Sequence, residues 1–221
     1  MLPASKERAY PAPNNPLGRA FEILREEGLR GLWFRVLGET VYRRMVLFER
    51  LLDEPFPSPS TSVAVEISLL NLSEVEEYVA FHDGMDAAEV HHRLEHGGKC
   101  FVVRHKGSIV NACWTAEGSV WVDYLGCTIE LARDEAYVYN NYTAPRFRNL
   151  GIPLVRAVEM LRHFRALGYR RLYAVVVPEN KAAFRPAQKA GYRPIGVIGY
   201  VRIGPWRHYM LSAWHRRHNL E

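Results

Sequence analysis

Cysteine is scarce in this chain. Its 221 residues hold three, Cys100, Cys113 and Cys127, with no CxxC pair and an odd count. That argues against a disulfide framework or a cysteine-rich zinc site, and leaves buried free thiols in a reducing, cytoplasmic setting. Long apolar runs are also missing: none approaches the roughly 20 residues that a membrane span needs. The Pro-rich, charged start offers no apolar leader segment. There is no HExxH. His92 and His96 stand four apart beside His91 and Glu95, but no third ligand lies at suitable spacing, so no metal is expected. Nucleic-acid signatures are missing as well, and no nucleic-acid partner is expected.

Acidic residues are scarce in one third only. Residues 1–53 carry 9 Lys/Arg against 7 Asp/Glu, residues 54–143 carry 5 against 14, and residues 144–221 carry 15 against 3. A basic third of this kind suggests a polyanionic ligand.

Four prolines and two adjacent asparagines mark residues 1–16 as an extended or disordered arm. Residues 17–53 read as a helical appendage, since Leu37, Val41, Met45, Phe48 and Leu52 recur at spacings of three and four. It is expected to pack on the main domain or on a second subunit, giving a homodimer. Trp33 and Phe34 among Arg30, Arg35, Arg43 and Arg44 also allow a peripheral membrane contact. Residues 54–62 (Glu-Pro-Phe-Pro-Ser-Pro-Ser-Thr-Ser) read as a linker, which places the main domain at 63–218. There the spacing predicts a strand over Val63–Leu69 and helices over Ser73–Phe81 and Met85–His96. A hairpin follows around Lys106-Gly107, then an extended stretch over Val120–Leu131. The basic tail Trp214-His215-Arg216-Arg217-His218 reads as a solvated terminus.

The stretch from Ala136 to Leu167 joins a strand to a helix. Its first half is rich in β-formers. Its second half sets Leu154, Val158, Leu161 and Phe164 on one side and Arg156, Arg162 and Arg165 on the other. Between them lies a turn with Arg148, Gly151 and Pro153. Such a turn aims free backbone N–H groups at whatever sits over the helix start, and the helix dipole favours an anion there. Further on come a strand (Arg171–Val177), a helix (Asn180–Ala190), Gly191, and two last strands (Tyr192–Ile203, Arg207–Trp214).

This order, with Arg148-Asn149-Leu150-Gly151-Ile152-Pro153 between strand and helix, resembles the Gcn5-related N-acetyltransferase (GNAT) superfamily. The resemblance covers about residues 63–214. In the family an Arg/Gln-x-x-Gly-x-Gly/Ala loop gives its amides to the pyrophosphate of acetyl-coenzyme A. Here Pro145 and Phe147 precede the loop, and Pro153 replaces the last Gly/Ala, deleting one donor. Asn180, followed by Gly191-Tyr192, matches the family's second signature. The resemblance implies an α/β (α+β) fold: a mixed, mostly antiparallel sheet flanked by helices, here with the N-terminal helical extension. It implies acetyl-coenzyme A as acyl donor, held by Thr143, Ala144, Arg148, Asn149, Leu150, Gly151, Ile152, Asn180 and Phe184. The donor's pantetheine arm is expected where the fourth and fifth strands of the domain splay apart. Arg146, Lys181, Arg185 and Lys189 add positive charge.

Catalytic groups are harder to place. The family's usual tyrosine, which protonates the leaving thiolate, aligns with Ala187. The family's strand glutamate is replaced by Tyr137, Tyr139 and Asn141, which the two-residue period puts on one face. These three are the catalytic candidates. Asp123, Glu130, Asp134 and Glu135 are candidates to hold a cationic acceptor. The expected function is N-acetyl transfer to a small amine, such as an amino sugar, an amino acid or a polyamine, by direct transfer in a ternary complex. The alternatives are transfer of a longer acyl chain or from an acyl carrier protein, and a non-catalytic coenzyme-A-binding or scaffold protein on a degenerate fold.

Overall fold

Met45 to Phe48 form an unbroken apolar run, which suits a strand covered on both faces. A computed structural model describes residues 42–82, 84–203 and 206–210. In it Tyr42–Leu51 is a strand, β1. This corrects the helix expected across residues 42–53. A short apolar run fits a helical or an extended period equally well, and pairing with a neighbouring strand decides between them. The arm at 1–16, the rest of the appendage (17–41) and the basic tail lie outside the described residues.

After β1 come β2 (Glu66–Leu69), α1 (Val75–Phe81), α2 (Ala87–Glu95), β3 (Lys99–His105) and β4 (Ser108–Ala116). Then follow β5 (Ser119–Val122), β6 (Cys127–Glu130), β7 (Glu135–Thr143), α3 (Ile152–Ala166) and β8 (Arg171–Val176). The described chain ends with α4 (Lys181–Lys189), β9 (Arg193–Ile203) and β10 (Trp206–Met210). Lys106 (φ 51°) and Gly107 (φ 82°) turn the β3–β4 hairpin at the positive φ values that a two-residue turn of this hand needs.

The chain divides into two compact units. The larger holds Val46–Val120 and Ile129–Gly196. Its strands run in the order β1-β8-β7-β4-β3-β2. All neighbours are antiparallel except β7 and β8, which are parallel. Side chains alternate across a strand, and β3 shows the consequence. Phe101 joins a core with Phe48, Ala136, Ala157, Met160, Leu161, Phe164, Leu172 and Val176, so α3 covers that face. Cys100 and Val102 join the opposite core with Val75, Tyr78, Val90, Ala112 and Trp114, beneath α1 and α2. Residues 54–62 pack on this unit as well. Phe56 lies against the α3 core, the Arg165 guanidinium sits 4.0 Å over its ring, and Ser62 N donates to Leu150 O at 3.2 Å.

Of the described residues, the smaller unit comprises 42–45, 121–128, 197–203 and 206–210. In it β9 and β10 pair antiparallel, from Trp206↔Ile203 to Met210↔Gly199. Arg43 Nη1 donates to Tyr124 O at 2.9 Å, and Tyr209 Oη donates to Gly126 O at 3.0 Å.

Under α1, Trp114 Nε1 donates to Tyr78 Oη at 2.8 Å, and both residues are fully buried. Tyr78→Phe leaves that indole N–H without a partner in an apolar core. We expect a loss of about 1–3 kcal/mol in urea-induced unfolding; an unchanged midpoint would show that the pair adds nothing.

Candidate active site

β7 is paired on both sides for only part of its length. Its partnership with β8 runs from Glu135↔Arg171 to Val138↔Ala174 and stops there. β4 stays beside it to the end, at Asn111↔Thr143. Tyr139 to Thr143 therefore face β8 with a row of backbone groups that the register gives no β8 partner, and the two strands open into a wedge.

A bulge sits at the apex of the wedge. Ala112 pairs with Tyr142 and Trp114 with Tyr139, so Asn140 and Asn141 together oppose Cys113. Asn140 takes the left-handed conformation (φ 47°) that an extra residue in a strand calls for. The bulge breaks the alternation. Tyr137 and Tyr139 share the face of α1 and α2, with their rings stacked at 5.9 Å. Tyr139 also packs on the core under α2, with the Arg93 guanidinium 5.3 Å from its ring. Asn141 turns to the other face, toward α3. This corrects the expectation of one face for Tyr137, Tyr139 and Asn141: a strict period of two holds only where no residue is inserted.

The turn after β7 is a short 3-10 segment, Pro145–Phe147, leading into α3. Asn149 (φ 63°) and Gly151 (φ 81°) are both left-handed. Gly151 is the N-cap, and Pro153 stands in the first turn, where its missing N–H costs no helical bond. Leu154 N and Val155 N both donate to Gly151 O. Among the described residues, the amides of Asn149, Leu150, Gly151 and Ile152 have no backbone acceptor. Ile152 is buried and Leu150 packs with Val103, Val110 and Phe147, so apolar side chains anchor the loop while its amides stay unused. Arg148 is exposed, its Nε 3.4 Å from Thr143 O. Glycine at 151 has a second cause: a Cβ there would lie 2.4 Å from Ser60 O.

Other expected residues have structural partners already. Ala144 N donates to Val110 O at 3.0 Å, so that amide belongs to the β4 edge. Thr143 Oγ1 accepts from Asn111 Nδ2 at 2.9 Å. Asn180 caps α4, its side-chain oxygen accepting from Ala183 N at 3.1 Å. Phe184 meets the Phe48 ring edge-on at 4.8 Å, and Ala183 and Ala187 join it against the core. Asp134 pairs with Arg170, which holds its carboxyl below the usual range. Glu135 is buried, accepting from Arg171 Nη1 at 3.0 Å and Tyr173 Oη at 3.2 Å. Glu130 accepts from Ser119 Oγ and Asp123 from Trp121 Nε1. His96 Nδ1 lies 2.8 Å from His92 O.

The sequence alone does not single out four polar residues of the larger unit as site residues: Asn111, Cys113, Arg156 and Tyr192. Arg156 corrects a specific expectation. The helical period puts it on the polar side of α3 with Arg162 and Arg165, yet only 4% of it is exposed. Ile152, Arg156 and Met160 form a buried column at a spacing of four. That spacing was the available signal, masked by the charge. Arg156 Nε donates to Asn111 Oδ1 at 3.1 Å and Nη2 to Asn141 Oδ1 at 3.2 Å. The Cys113 thiol donates to Tyr139 O at the bulge (3.4 Å). Burial pushes that thiol up, against the pull of Arg156, so it is a neutral donor. Tyr192 is buried, and its hydroxyl has no hydrogen-bond partner.

No protein-family model matches the chain, and no curated protein matches it. Solved structures match in fold. One is a GCN5-related N-acetyltransferase from Sphaerobacter thermophilus, at TM-score 0.54 and 14% identity over 75% of this chain. Another is a glucosamine N-acetyltransferase region in a fungal multi-domain GH3 β-N-acetylglucosaminidase, at TM-score 0.53 and 13% identity over 79% of this chain. The chain spans 54% of the first structure and 23% of the second. It has the GNAT fold: a mixed, mostly antiparallel sheet between helices, with the parallel β7–β8 pair at its centre.

Gly151→Ala tests whether the glycine is required by backbone shape. The left-handed φ costs about 1–2 kcal/mol for a residue with a Cβ, and the Ser60 carbonyl must move aside. We expect a lower melting temperature together with faster proteolysis within residues 54–62. A melting temperature equal to that of the parent protein would contradict the close approach of segment 54–62.

Proposed function

We propose that the protein is a coenzyme-A-dependent N-acyltransferase, an acetyltransferase in its simplest form, acting on a small amine. The observation that carries this reading is the parting of β7 from β8 beside a left-handed glycine turn whose amides are unused. A buried tyrosine hydroxyl without a partner, on Tyr192, also fits a ligand that completes the site.

Coenzyme A asks for two things, a cradle for its pyrophosphate and an extended edge for its amide-bearing arm. The amides of Asn149, Leu150, Gly151 and Ile152, at the positive end of α3, suit the first. Arg148 and the exposed Arg146 and Lys181 add charge beside them. The open edge of β7 from Tyr139 to Thr143 suits the second, as an added strand suits a sheet edge. The bound group supplies an activated thioester. The chain's own contribution is then position and polarity. The bulge leaves an extra residue, Asn140, outside the β4 ladder, and its N–H is a natural donor to a developing oxyanion.

Ala144, Asn180 and Phe184 take lesser parts in this reading, because their polar groups or rings are engaged within the fold. Tyr137 and Tyr139 line the wall under α2 and orient the acceptor. A neutral phenol is a weak base near pH 7, so the amine is best delivered already unprotonated. Amino sugars, amino acids and polyamines are the acceptors to try first, and the fungal glucosamine N-acetyltransferase region adds weight to the first.

Calorimetry with acetyl-coenzyme A is the direct test. We expect saturable binding that weakens as salt is raised, because screened cationic and dipolar groups hold the phosphates. Release of free thiol should then depend on the amine supplied. Absence of binding up to millimolar acetyl-coenzyme A sinks the reading; binding without thiol release across the amine panel leaves a coenzyme A sensor.

A further inference from the structure

The charge on Arg156 is the least explained feature of the larger unit. Its guanidinium is almost wholly buried, and its nitrogens meet two amide oxygens and the Met160 sulfur. Among the described residues no carboxylate pairs with it, whereas Arg50, Arg93, Arg104 and Arg171 each have an acidic partner. Removing a cation from water without a counter-charge is expensive, and proteins ordinarily pair such groups. Asn111 and Asn141 satisfy its geometry without cancelling its charge. The nearby Cys113 thiol does not cancel it either, since burial keeps that thiol neutral.

Two further observations point to what is missing. Asn141, which holds Nη2, is exposed and stands on the open stretch of β7, so the cluster has a route to the wedge. The Tyr192 hydroxyl has no hydrogen-bond partner, and its ring belongs to the same buried cluster as Met160, whose sulfur meets Arg156, so this phenol is available as a second donor. Asn111 and Asn141 take one N–H each from Nε and Nη2, and the N–H groups left on the two terminal nitrogens match a planar, singly charged acceptor with two oxygens. The loop at Gly151 is a separate anion cradle: Arg156 lies five residues further along α3, about 7.5 Å at the helical rise.

We propose that Arg156, with Asn111, Asn141 and Tyr192 around it, forms a carboxylate-binding site at the apex of the wedge. The carboxylate is carried either by the acyl group of the donor, as in a malonyl or succinyl thioester, or by the acceptor amine, as in an amino acid. The proposal rests on the reading of the wedge as the acyl-transfer site, and it narrows the substrate class of that site.

Thermal-shift titration of the full chain with malonate, succinate and glutarate reads the site without any turnover. Calorimetry then compares malonyl- and succinyl-coenzyme A with acetyl-coenzyme A, and thiol release compares amino acids with the amines lacking their carboxyl group. We expect a preference for the carboxylated ligand of about tenfold or more in one arm, as charge-assisted hydrogen bonds give. Arg156→Met should abolish that preference, because it removes the charge that the carboxylate would pair with. Should that variant fail to fold, Arg156→Lys and Tyr192→Phe carry the test, each expected to reduce the preference several-fold. The proposal is overturned if the parent protein shows no preference in either arm, or if the preference survives Arg156→Met or both of the milder variants. Failure of acetyl-coenzyme A to bind, with carboxylates still stabilising the protein through Arg156, would instead remove the acyltransferase reading and leave the carboxylate site.

Discussion

Everything distinctive in the larger unit follows from how β7 divides its backbone between two neighbours. Up to Val138 it is a central strand, bonded to β4 on one side and β8 on the other. From Tyr139 onward it is a central strand on one side and an edge on the other. Unpaired backbone in the middle of a protein is costly unless something binds it, and natural sheets blunt or cover their edges. This edge is instead held open by the neighbouring elements. β1 continues to pair with β8 as far as Val46↔Val176, so β8 follows β1 away from β7 rather than closing on it.

The bulge and the glycine turn depend on that geometry. Inserting one residue at Asn140 keeps Tyr139 on the α2 face and sends Asn141 to the α3 face. A single strand thereby serves two chemistries, an aromatic wall on one side and a polar cluster with Arg156 on the other. Gly151 then reverses the chain so that α3 starts beside the end of β7. The segment 54–62 presses on this turn from outside, through Ser60 and Ser62. The glycine thus answers to backbone conformation and to a close neighbour at once, and the loop is held from both sides while its amides stay unused.

Some of this was legible in the residues. The hairpin turn at Lys106-Gly107, the apolar spacing over 154–164 and the spacing of Arg148 and Gly151 each reflect a local rule of backbone or side-chain geometry. Together they gave the element order and the fold class. Three features were not legible, for three reasons. β1 reads as helix in the sequence because Val41, Met45, Phe48 and Leu52 recur at helical spacing, and strand pairing overrides that period. Arg156 was read as surface because charge is a poor guide to burial when amide oxygens can face it. Asn141 was put on the wrong face because a bulge leaves almost no trace in composition; an asparagine pair tolerant of positive φ was the only hint.

The sequence by itself therefore determined the local elements, the turn that opens α3 and the basic character of the last third, since each depends on neighbours within a few residues. Only the tertiary structure decided that β7 would part from β8, that β1 would join the sheet, and that Asn111, Asn141 and Arg156 would meet beside the bulge that Cys113 opposes. Those outcomes depend on which strand pairs with which across more than a hundred residues of chain, and on a register shift that moves every following side chain to the other face.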